Sequence, residues 1–206
     1  MGLNFSEVNT SLFRLVNDLG KEHEQLNIIF TFLAEYMVFL FALSVLCIWF
    51  TRNKESRIMI FCATITFTCA FILGKVSGEF HSNYQPFVEL SDVNKLIVKE
   101  KGNSFPSDHT ILFFSYCFSF WLFKRGWWIF WILLAVLVGI SRIWVGVHYP
   151  FDVIAGMILS FAAAISVYLI VPRLNGTRKI LNDYEKYEGK LFQPFRKTKD
   201  SKTKNY

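Results

Sequence analysis

Long stretches with almost no charge are the feature that most restricts how this chain can fold. They cover residues 28–50, where Glu35 is the one acid, and the uncharged stretches 58–73, 110–123, 127–140 and 153–171. With its flanks, each approaches the roughly 20 residues that a helix needs to cross a bilayer. Helices in the core of a soluble protein usually keep a polar face, which these stretches lack. We therefore predict an all-α fold, a polytopic membrane helical bundle of about five transmembrane helices.

The two ends of the chain differ from this apolar middle. Residues 1–26 are mixed in polarity, and their apolar positions recur at helical spacing over 5–19, which predicts an N-terminal amphipathic helix. That helix either lies on the membrane surface or packs on the bundle. Residues 27–172 form the predicted membrane-embedded domain. The tail, 173–206, holds ten basic and four acidic residues, a net charge of +6 that equals the formal charge of the whole chain.

The basic residues predict how the chain is oriented. Arg52, Lys54 and Arg57 lie between the first two spans, and Lys124 and Arg125 lie between the third and fourth. Together with the basic tail, they place one side of the bundle in the cytoplasm by the positive-inside rule. The N-terminus and the loop 81–105 are then outside. A basic tail after a span contacts anionic membrane lipids, and no motif that binds nucleic acid accompanies it, so we expect no nucleic-acid partner.

Polar residues from separate segments all fall on the predicted outer side. One segment, 75–86, follows the second span, and Pro106-Ser107-Asp108-His109 opens the third. Residues 141–148 close the fourth span and 150–152 open the fifth. A charged cluster at the edge of a bilayer costs several kcal/mol unless it has partners or a function. The sequence therefore predicts one functional site at this end of the bundle.

The residue types in this cluster suit phosphate chemistry. Ser107 is a good N-cap, and a helix N-terminus binds anions; His109 follows in the first turn. Arg142 can hold a phosphate in bidentate fashion. Of the two imidazoles, one attacks phosphorus and the other protonates the leaving oxygen, while Asp152 orients His148. Arginine, lysine and the helix dipole neutralise phosphoryl charge, so no metal or other cofactor is expected. As alternatives, Asp152 only caps the fifth span and Arg142 only extends to lipid phosphates.

These residues resemble the type 2 phosphatidic acid phosphatase superfamily. Its three motifs are Lys-x6-Arg-Pro, Pro-Ser-x-His and Ser-Arg-x5-His-x3-Asp. The third stands here in full from Ser141 to Asp152, and the second is Pro106 to His109 with aspartate where glycine is commonest. The resemblance runs from about Gly74 to Ala163. Within the superfamily, the segments around both motifs are most similar to the bacitracin-resistance type of undecaprenyl pyrophosphate phosphatase.

The resemblance implies an integral membrane phosphatase domain over 27–172. Its substrate would be a polyprenyl pyrophosphate lipid, undecaprenyl diphosphate, hydrolysed through a phosphohistidine at the outer face of the bacterial cell membrane. That activity would support recycling of the cell-wall lipid carrier and bacitracin resistance. The implied roles are His148 as nucleophile, Asp152 as its support, His109 as general acid, and Arg142 and Ser107 as phosphate-binding residues. Alternatives are a phosphatase for phosphatidic acid or phosphatidylglycerol phosphate, and, without catalysis, a drug exporter or flippase subunit.

The first motif departs from the superfamily pattern. Gln85 precedes Pro86 where arginine is expected, and Gly78 stands where lysine is expected. Losing a charged contact to a phosphoryl group costs roughly 1.5–3 kcal/mol. Gln85 can still donate hydrogen bonds, and Lys75, about one helical turn before Gly78, can extend to the phosphate. The other candidates for the missing charge are the loop lysines Lys95, Lys99 and Lys101.

Two acids occupy positions that phosphate chemistry does not require. Asp108 follows Ser107 directly, and we expect it to pair with Arg142 or a loop lysine, or to cap the third span. Glu35 lies inside the first predicted span, where an acid is a functional candidate by default. We expect it to pack or to pair at the outer end of that span.

Overall fold

The computed structural model describes residues 4–177, 179, 180, 182–184, 186 and 187. In this part of the chain the regular structure is helical, which confirms the all-α prediction. The α-helices are α1 (Phe5–Asn17), α2 (Leu19–Glu22), α3 (Glu24–Glu35), α4 (Met37–Phe50), α5 (Lys54–Phe80), α6 (Pro86–Glu89), α7 (Asp108–Lys124), α8 (Ile129–Trp144) and α9 (Pro150–Ile170). Short 3₁₀ turns, Gly126–Trp128 and Val171–Arg173, precede α8 and follow α9.

Helix α7 lies at the centre of the bundle, packed against α5 and α8. Its Phe113 and Phe120 are fully buried, in a cluster with Phe41 of α4 and Met59 of α5. Many large apolar side chains point away from the bundle instead, among them Phe39, which is 70% exposed. Such an apolar outer surface suits contact with lipid tails, which confirms the predicted membrane bundle.

The number of spans is less simple than the prediction of five. Among the described residues, three helical segments are long and apolar enough to cross a membrane: Lys54–Phe80, Gly126–Trp144 and Pro150–Arg173. Helices α3 and α4 make a fourth if they are counted together, although a bend of 48° separates them. Helix α7, which corresponds to the third predicted span, has 17 residues. A span count of five therefore stays a prediction.

The first predicted span is bent beside a buried arginine. The Arg142 side chain donates a 2.8 Å hydrogen bond from Nη1 to the backbone oxygen of Ala34, next to the break at Tyr36. A side chain that inserts into the hydrogen-bond ladder of a helix is a common cause of sharp bends. Hydropathy along 28–50 gives the length of the predicted span but not its direction, so it carries no signal for this bend.

The N-terminal helix packs on the bundle, which decides between the two placements left open by its sequence. Phe13 is fully buried against Ile143 and Tyr149. Asn17 Nδ2 donates to the Trp144 oxygen at 2.8 Å, and Asn17 Oδ1 accepts from the Asn94 nitrogen at 2.9 Å. Helix α1 thus joins the end of α8 to the long loop after α6.

One end of the bundle gathers the basic connections. Lys124 Nζ lies 3.0 Å from a carboxylate oxygen of Glu55, so the end of α7 and the start of α5 lie together. This confirms that the segments around 52–57 and 124–125 share one end, although which compartment they face stays a prediction.

The described residues up to Tyr168 form one compact unit, and the described residues from Leu169 onward form a second. Within the second unit, Thr177 Oγ1 donates to the Val171 oxygen at 2.9 Å. The basic tail predicted for 173–206 lies mostly outside the described residues, and the predicted boundaries after 26 and 172 stay predictions.

Candidate active site at one end of the bundle

His148 lies in the turn between α8 and α9, where the chain reverses at Gly146 with φ +81°. The turn is held by its own backbone, since the nitrogens of Val147 and His148 both donate to the Arg142 oxygen. The imidazole is almost buried, and its Nδ1 lies 2.9 Å from the Ser104 backbone oxygen. A carbonyl oxygen only accepts, so Nδ1 carries the proton and the Nε2 lone pair is left for nucleophilic attack.

Asp152 acts on His148 through Ser104. The carboxylate Oδ2 is 3.7 Å from His148 Nδ1, longer than a hydrogen bond, but it accepts from Ser104 Oγ at 2.5 Å. Ser104 Oγ lies 3.2 Å from Nδ1, so this hydroxyl links the two groups. The same Oδ2 accepts from the Tyr149 nitrogen at 2.8 Å, so Asp152 also caps the start of α9. Both roles considered for Asp152 are therefore compatible with the geometry.

Burial sets the protonation of the candidate nucleophile. It lowers the pKa of His148 below its ordinary value of 6.5, and the charge of Arg142 lowers it further, while Asp152 opposes both. The folded protein therefore favours a neutral imidazole at pH 7, the form in which Nε2 can attack.

Arg142 is buried rather than extended to the membrane surface. Only 2% of the residue is exposed, and Nη1 is bound to the Ala34 oxygen. Within the part of the chain that the structure describes, its Nε is buried without a hydrogen-bond partner. Leaving a charged donor unsatisfied is costly, and an anion at this point would remove the cost. Extension of Arg142 to lipid phosphates, the alternative considered from sequence, does not fit this burial.

Ser107 and His109 begin α7 as predicted. Ser107 is fully buried and is the N-cap, accepting from the Thr110 nitrogen at 3.5 Å. Its own nitrogen donates to the Asp152 backbone oxygen at 3.2 Å, which ties the start of α7 to the start of α9. His109 is half-buried in the first turn, beside Arg142.

Two cavities bring the predicted residues together. One, of about 270 Å³, is lined by His148 and by Lys75, Lys99 and Asp108. The other, of about 470 Å³, is lined by Arg142 and His109 and by Lys99, Glu35, Tyr36, Val38 and Phe39. The candidate nucleophile and the candidate acid thus lie on different cavities, and Lys99 lines both. An attack in the first cavity with a leaving group in the second is the chemistry that this arrangement allows.

The two divergent positions of the first motif hold the loop between α6 and α7. Gln85 is 1% exposed; its Nε2 donates to the Glu100 oxygen at 3.1 Å, and its Oε1 accepts from the Gly102 nitrogen at 3.0 Å. The Gly78 oxygen accepts from Asn103 Nδ2 at 2.8 Å, and a Cβ on Gly78 would come within 2.8 Å of the Phe105 oxygen. Gln85 therefore has a supporting role in the structure, and its predicted contact with phosphate stays a prediction.

The structure shows which groups surround the two acids, Asp108 and Glu35, that phosphate chemistry does not require. Both carboxylate oxygens of Asp108 lie 2.9 Å from Lys75 Nζ, so its partner is neither Arg142 nor a loop lysine as expected from sequence. Lys75 still lines the cavity of His148, within reach of an anion there. Glu35 ends α3 at the bend and lines the cavity of Arg142.

Sequence reasoning missed Ser104 and did not single out Lys99. Both come from the long loop, whose path depends on contacts with α5 and α6. The one available signal was the position of Ser104, just before the Pro106-Ser107 start of α7.

Comparison with known proteins connects this geometry to a family. Residues 82–175, which contain the second and third motifs, match the model of the PAP2 superfamily. The chain is 50% identical over 206 residues to the "Bacitracin transport permease protein BcrC" of Bacillus licheniformis, covering 99% of this chain and 100% of that protein. It is 33% identical over 155 residues to the "Undecaprenyl-diphosphatase BcrC" of Bacillus subtilis (strain 168), covering 74% and 79%.

Among solved structures, the crystal structure of Aquifex aeolicus LpxE is similar, with a TM-score of 0.64 and 26% identity. The match covers 81% of this chain and 98% of that one.

Proposed function

Because the chain belongs to the PAP2 superfamily, we propose that it is a membrane enzyme that hydrolyses undecaprenyl diphosphate to undecaprenyl phosphate and inorganic phosphate. The name of the Bacillus subtilis relative supports this substrate. The observation that carries the proposal is His148, buried with Nδ1 bound to Ser104 and Nε2 left for attack, beside an arginine with an unsatisfied buried donor.

The proposed reaction has two steps. His148 Nε2 attacks the terminal phosphorus, the bond from phosphorus to the bridging oxygen breaks, and His109 protonates the departing undecaprenyl phosphate. Water activated by His109 then attacks the phosphohistidine, which releases phosphate and restores His148. Arg142 and the N-terminus of α7 at Ser107 neutralise the charge on the phosphoryl oxygens. Asp152, through Ser104, stabilises the cationic imidazole of the intermediate.

The proposed site faces the outside of the bacterial cell membrane, and the C-terminus lies in the cytoplasm. The basic residues of the connections support this, because they gather at one end of the bundle, while the site lies at the ends of α5 and α8 remote from those connections. Phosphate release outside would recycle the carrier lipid of cell-wall synthesis and raise resistance to bacitracin.

Two other functions remain as alternatives, and the experiment described below distinguishes them from the proposed one. A phosphatase for phosphatidic acid or phosphatidylglycerol phosphate would use the same residues on a lipid monophosphate. A transporter is the function that the name of the Bacillus licheniformis relative indicates.

The test is phosphate release by the purified protein in detergent. Undecaprenyl diphosphate, phosphatidic acid and phosphatidylglycerol phosphate are compared as substrates, and the diphosphate is expected to react fastest. His148→Ala and Arg142→Ala are each expected to lose at least ~10²-fold in kcat, as for a nucleophile or a transition-state clamp. His23→Ala, an exposed histidine at the start of α3, is the matched control and should keep its rate.

Three outcomes would count against the proposal. Near-normal turnover by His148→Ala would remove the nucleophile, and equal rates on lipid monophosphates would remove the substrate assignment. Absence of phosphate release, together with bacitracin export by the protein in liposomes, would favour the transporter.

A further inference from the structure

The loop between α6 and α7 is fixed to the bundle at both divergent positions of the first motif. Gln85 binds the backbone of Glu100 and Gly102, and Gly78 binds the side chain of Asn103. Gly78 also leaves no space for a side chain, since a Cβ there would be 2.8 Å from the Phe105 oxygen. The residues that would carry the cations of the motif therefore hold the loop in place instead.

The side chains before Lys99 show that this loop has a defined direction. Ile97 is buried with Ala34, Val145 and Val147, while Val98 is 95% exposed. Side chains alternate in direction along an extended chain, so Ile97 and Lys99 both point towards the bundle while Val98, between them, points away from it. Lys95 supports the same path, because its Nζ donates to the Lys99 oxygen at 3.3 Å.

Lys99 lies where the charge of the first motif is missing. It is half-buried and lines both the cavity of His148 and the cavity of Arg142 and His109. Burial lowers the pKa of its amine, and the neighbouring Arg142 lowers it further, while Asp108 opposes them. Two cations held close together and partly away from water favour an anion between them.

The lysines around Lys99 are engaged elsewhere. Lys75 is paired with both oxygens of Asp108. Lys95 lies 3.7 Å from the centre of the Phe87 ring. Lys101 is exposed and does not line either cavity. Of the three lysines that the sequence offered in this loop, the geometry therefore favours Lys99.

We propose that Lys99 is a phosphate-binding residue that replaces the missing cations of the first motif and contacts both phosphates of a diphosphate substrate. The proposal rests on the proposed phosphatase function and deepens it. The terminal phosphoryl group would occupy the cavity of His148, where the nucleophile is. The second phosphate, the leaving group, would occupy the cavity of His109 and Arg142, whose other wall is apolar at Tyr36 and Phe39. A lipid monophosphate would fill only one of these two positions and make only one contact with Lys99, so Lys99 would increase kcat/KM more for diphosphates than for monophosphates.

The test compares Lys99→Met with Lys99→Arg and with the matched control Lys101→Met. Initial rates on undecaprenyl diphosphate and on phosphatidic acid give kcat and KM for each. Lys99→Met is expected to lose about 10- to 100-fold in kcat/KM on the diphosphate, which makes both contacts with Lys99. The loss on the monophosphate, which makes only one of these contacts, is expected to be about fivefold smaller. Lys99→Arg keeps the charge and should stay within about fivefold of wild type, and Lys101→Met within about twofold.

A binding measurement keeps the inference testable apart from catalysis. Inorganic pyrophosphate should raise the Tm of the wild-type protein in detergent more than inorganic phosphate does, and Lys99→Met should abolish that difference. Unchanged kcat/KM and unchanged pyrophosphate protection in Lys99→Met would overturn the role of Lys99, and equal losses on both lipids would overturn the diphosphate contact. If the wild type hydrolyses none of the lipids, the proposed function fails, and the pyrophosphate measurement still decides whether Lys99 binds phosphate.

Discussion

Restoring the arginine of the first motif, by Gln85→Arg, should lower the kcat/KM of this enzyme. If Gln85 faced the phosphate site and the site lacked only the positive charge of the motif, Gln85→Arg would strengthen phosphate binding. Here Gln85 is buried and both of its polar groups bind the loop, so we expect Gln85→Arg to displace the loop and with it Lys99. The expected direction is a decrease in kcat/KM.

The size of the decrease follows from the contacts of Gln85. Arginine has five donors and no acceptor, so the Gly102 nitrogen loses the oxygen that it donates to at 3.0 Å. An unsatisfied buried donor costs about 1–3 kcal/mol, and a buried cation without a partner adds to this. If only about 2 kcal/mol of this appears as loop displacement, kcat/KM falls about 30-fold, since each 1.36 kcal/mol is a factor of ten.

The assay is initial-rate kinetics on undecaprenyl diphosphate with purified variants. Tyr84→Arg is the control, because Tyr84 is adjacent and 59% exposed, so it adds the same charge without disturbing the loop. We expect Tyr84→Arg to stay within about twofold of wild type, as for most surface changes. A rise in kcat/KM for Gln85→Arg would refute the reasoning, because it would mean that the missing charge is not compensated and that Gln85 faces the substrate.

Two further predictions concern the nucleophile. Ser104→Ala should lower kcat about 10- to 100-fold with little change in KM, because Asp152 loses a hydroxyl donor while His148 keeps its bond to the backbone oxygen; a change in KM alone would contradict this. The pH profile of kcat/KM should have its acid limb below pH 6.5. Burial lowers the pKa of His148 below 6.5, and the imidazole becomes charged, and loses its nucleophilic lone pair, only when the pH falls through this lowered pKa. Titrating the lipid phosphate by ³¹P NMR separates substrate ionisation from this limb, and an enzyme limb above 6.5 would contradict the prediction.

The residues that sequence could place are those joined by short, regular connections. The segment from Arg142 to Asp152 is the end of a helix, a turn and the start of the next helix, so its spacing alone brings guanidinium, imidazole and carboxylate to one end of the bundle. Ser107 and His109 follow from the signal for a helix start.

Ser104 and Lys99 could not be predicted in the same way. Both lie in a loop of irregular structure, and their positions depend on contacts between residues 15 to 25 apart in sequence, such as Gln85 with Glu100 and Gly78 with Asn103. The bend between α3 and α4 has the same origin, since the bond from Arg142 to the Ala34 oxygen joins residues 108 apart. Hydropathy and motif spacing carry no information on such contacts.

The bend also explains how a buried arginine can be ready for substrate. Arg142 is fixed at one end by the Ala34 oxygen, while its Nε keeps a donor that nothing in the described structure satisfies. Glu35, at the same bend, lines the cavity and partly offsets the positive charge without reaching salt-bridge distance. Arg142 and Lys99 are thus already partly removed from water in the folded protein. Their desolvation free energy therefore lowers the stability of the fold and does not have to be supplied when the substrate binds. Preorganised charge of this kind costs no reorganisation during the reaction, which is why it is usually the largest single contribution to catalysis at a phosphoryl group.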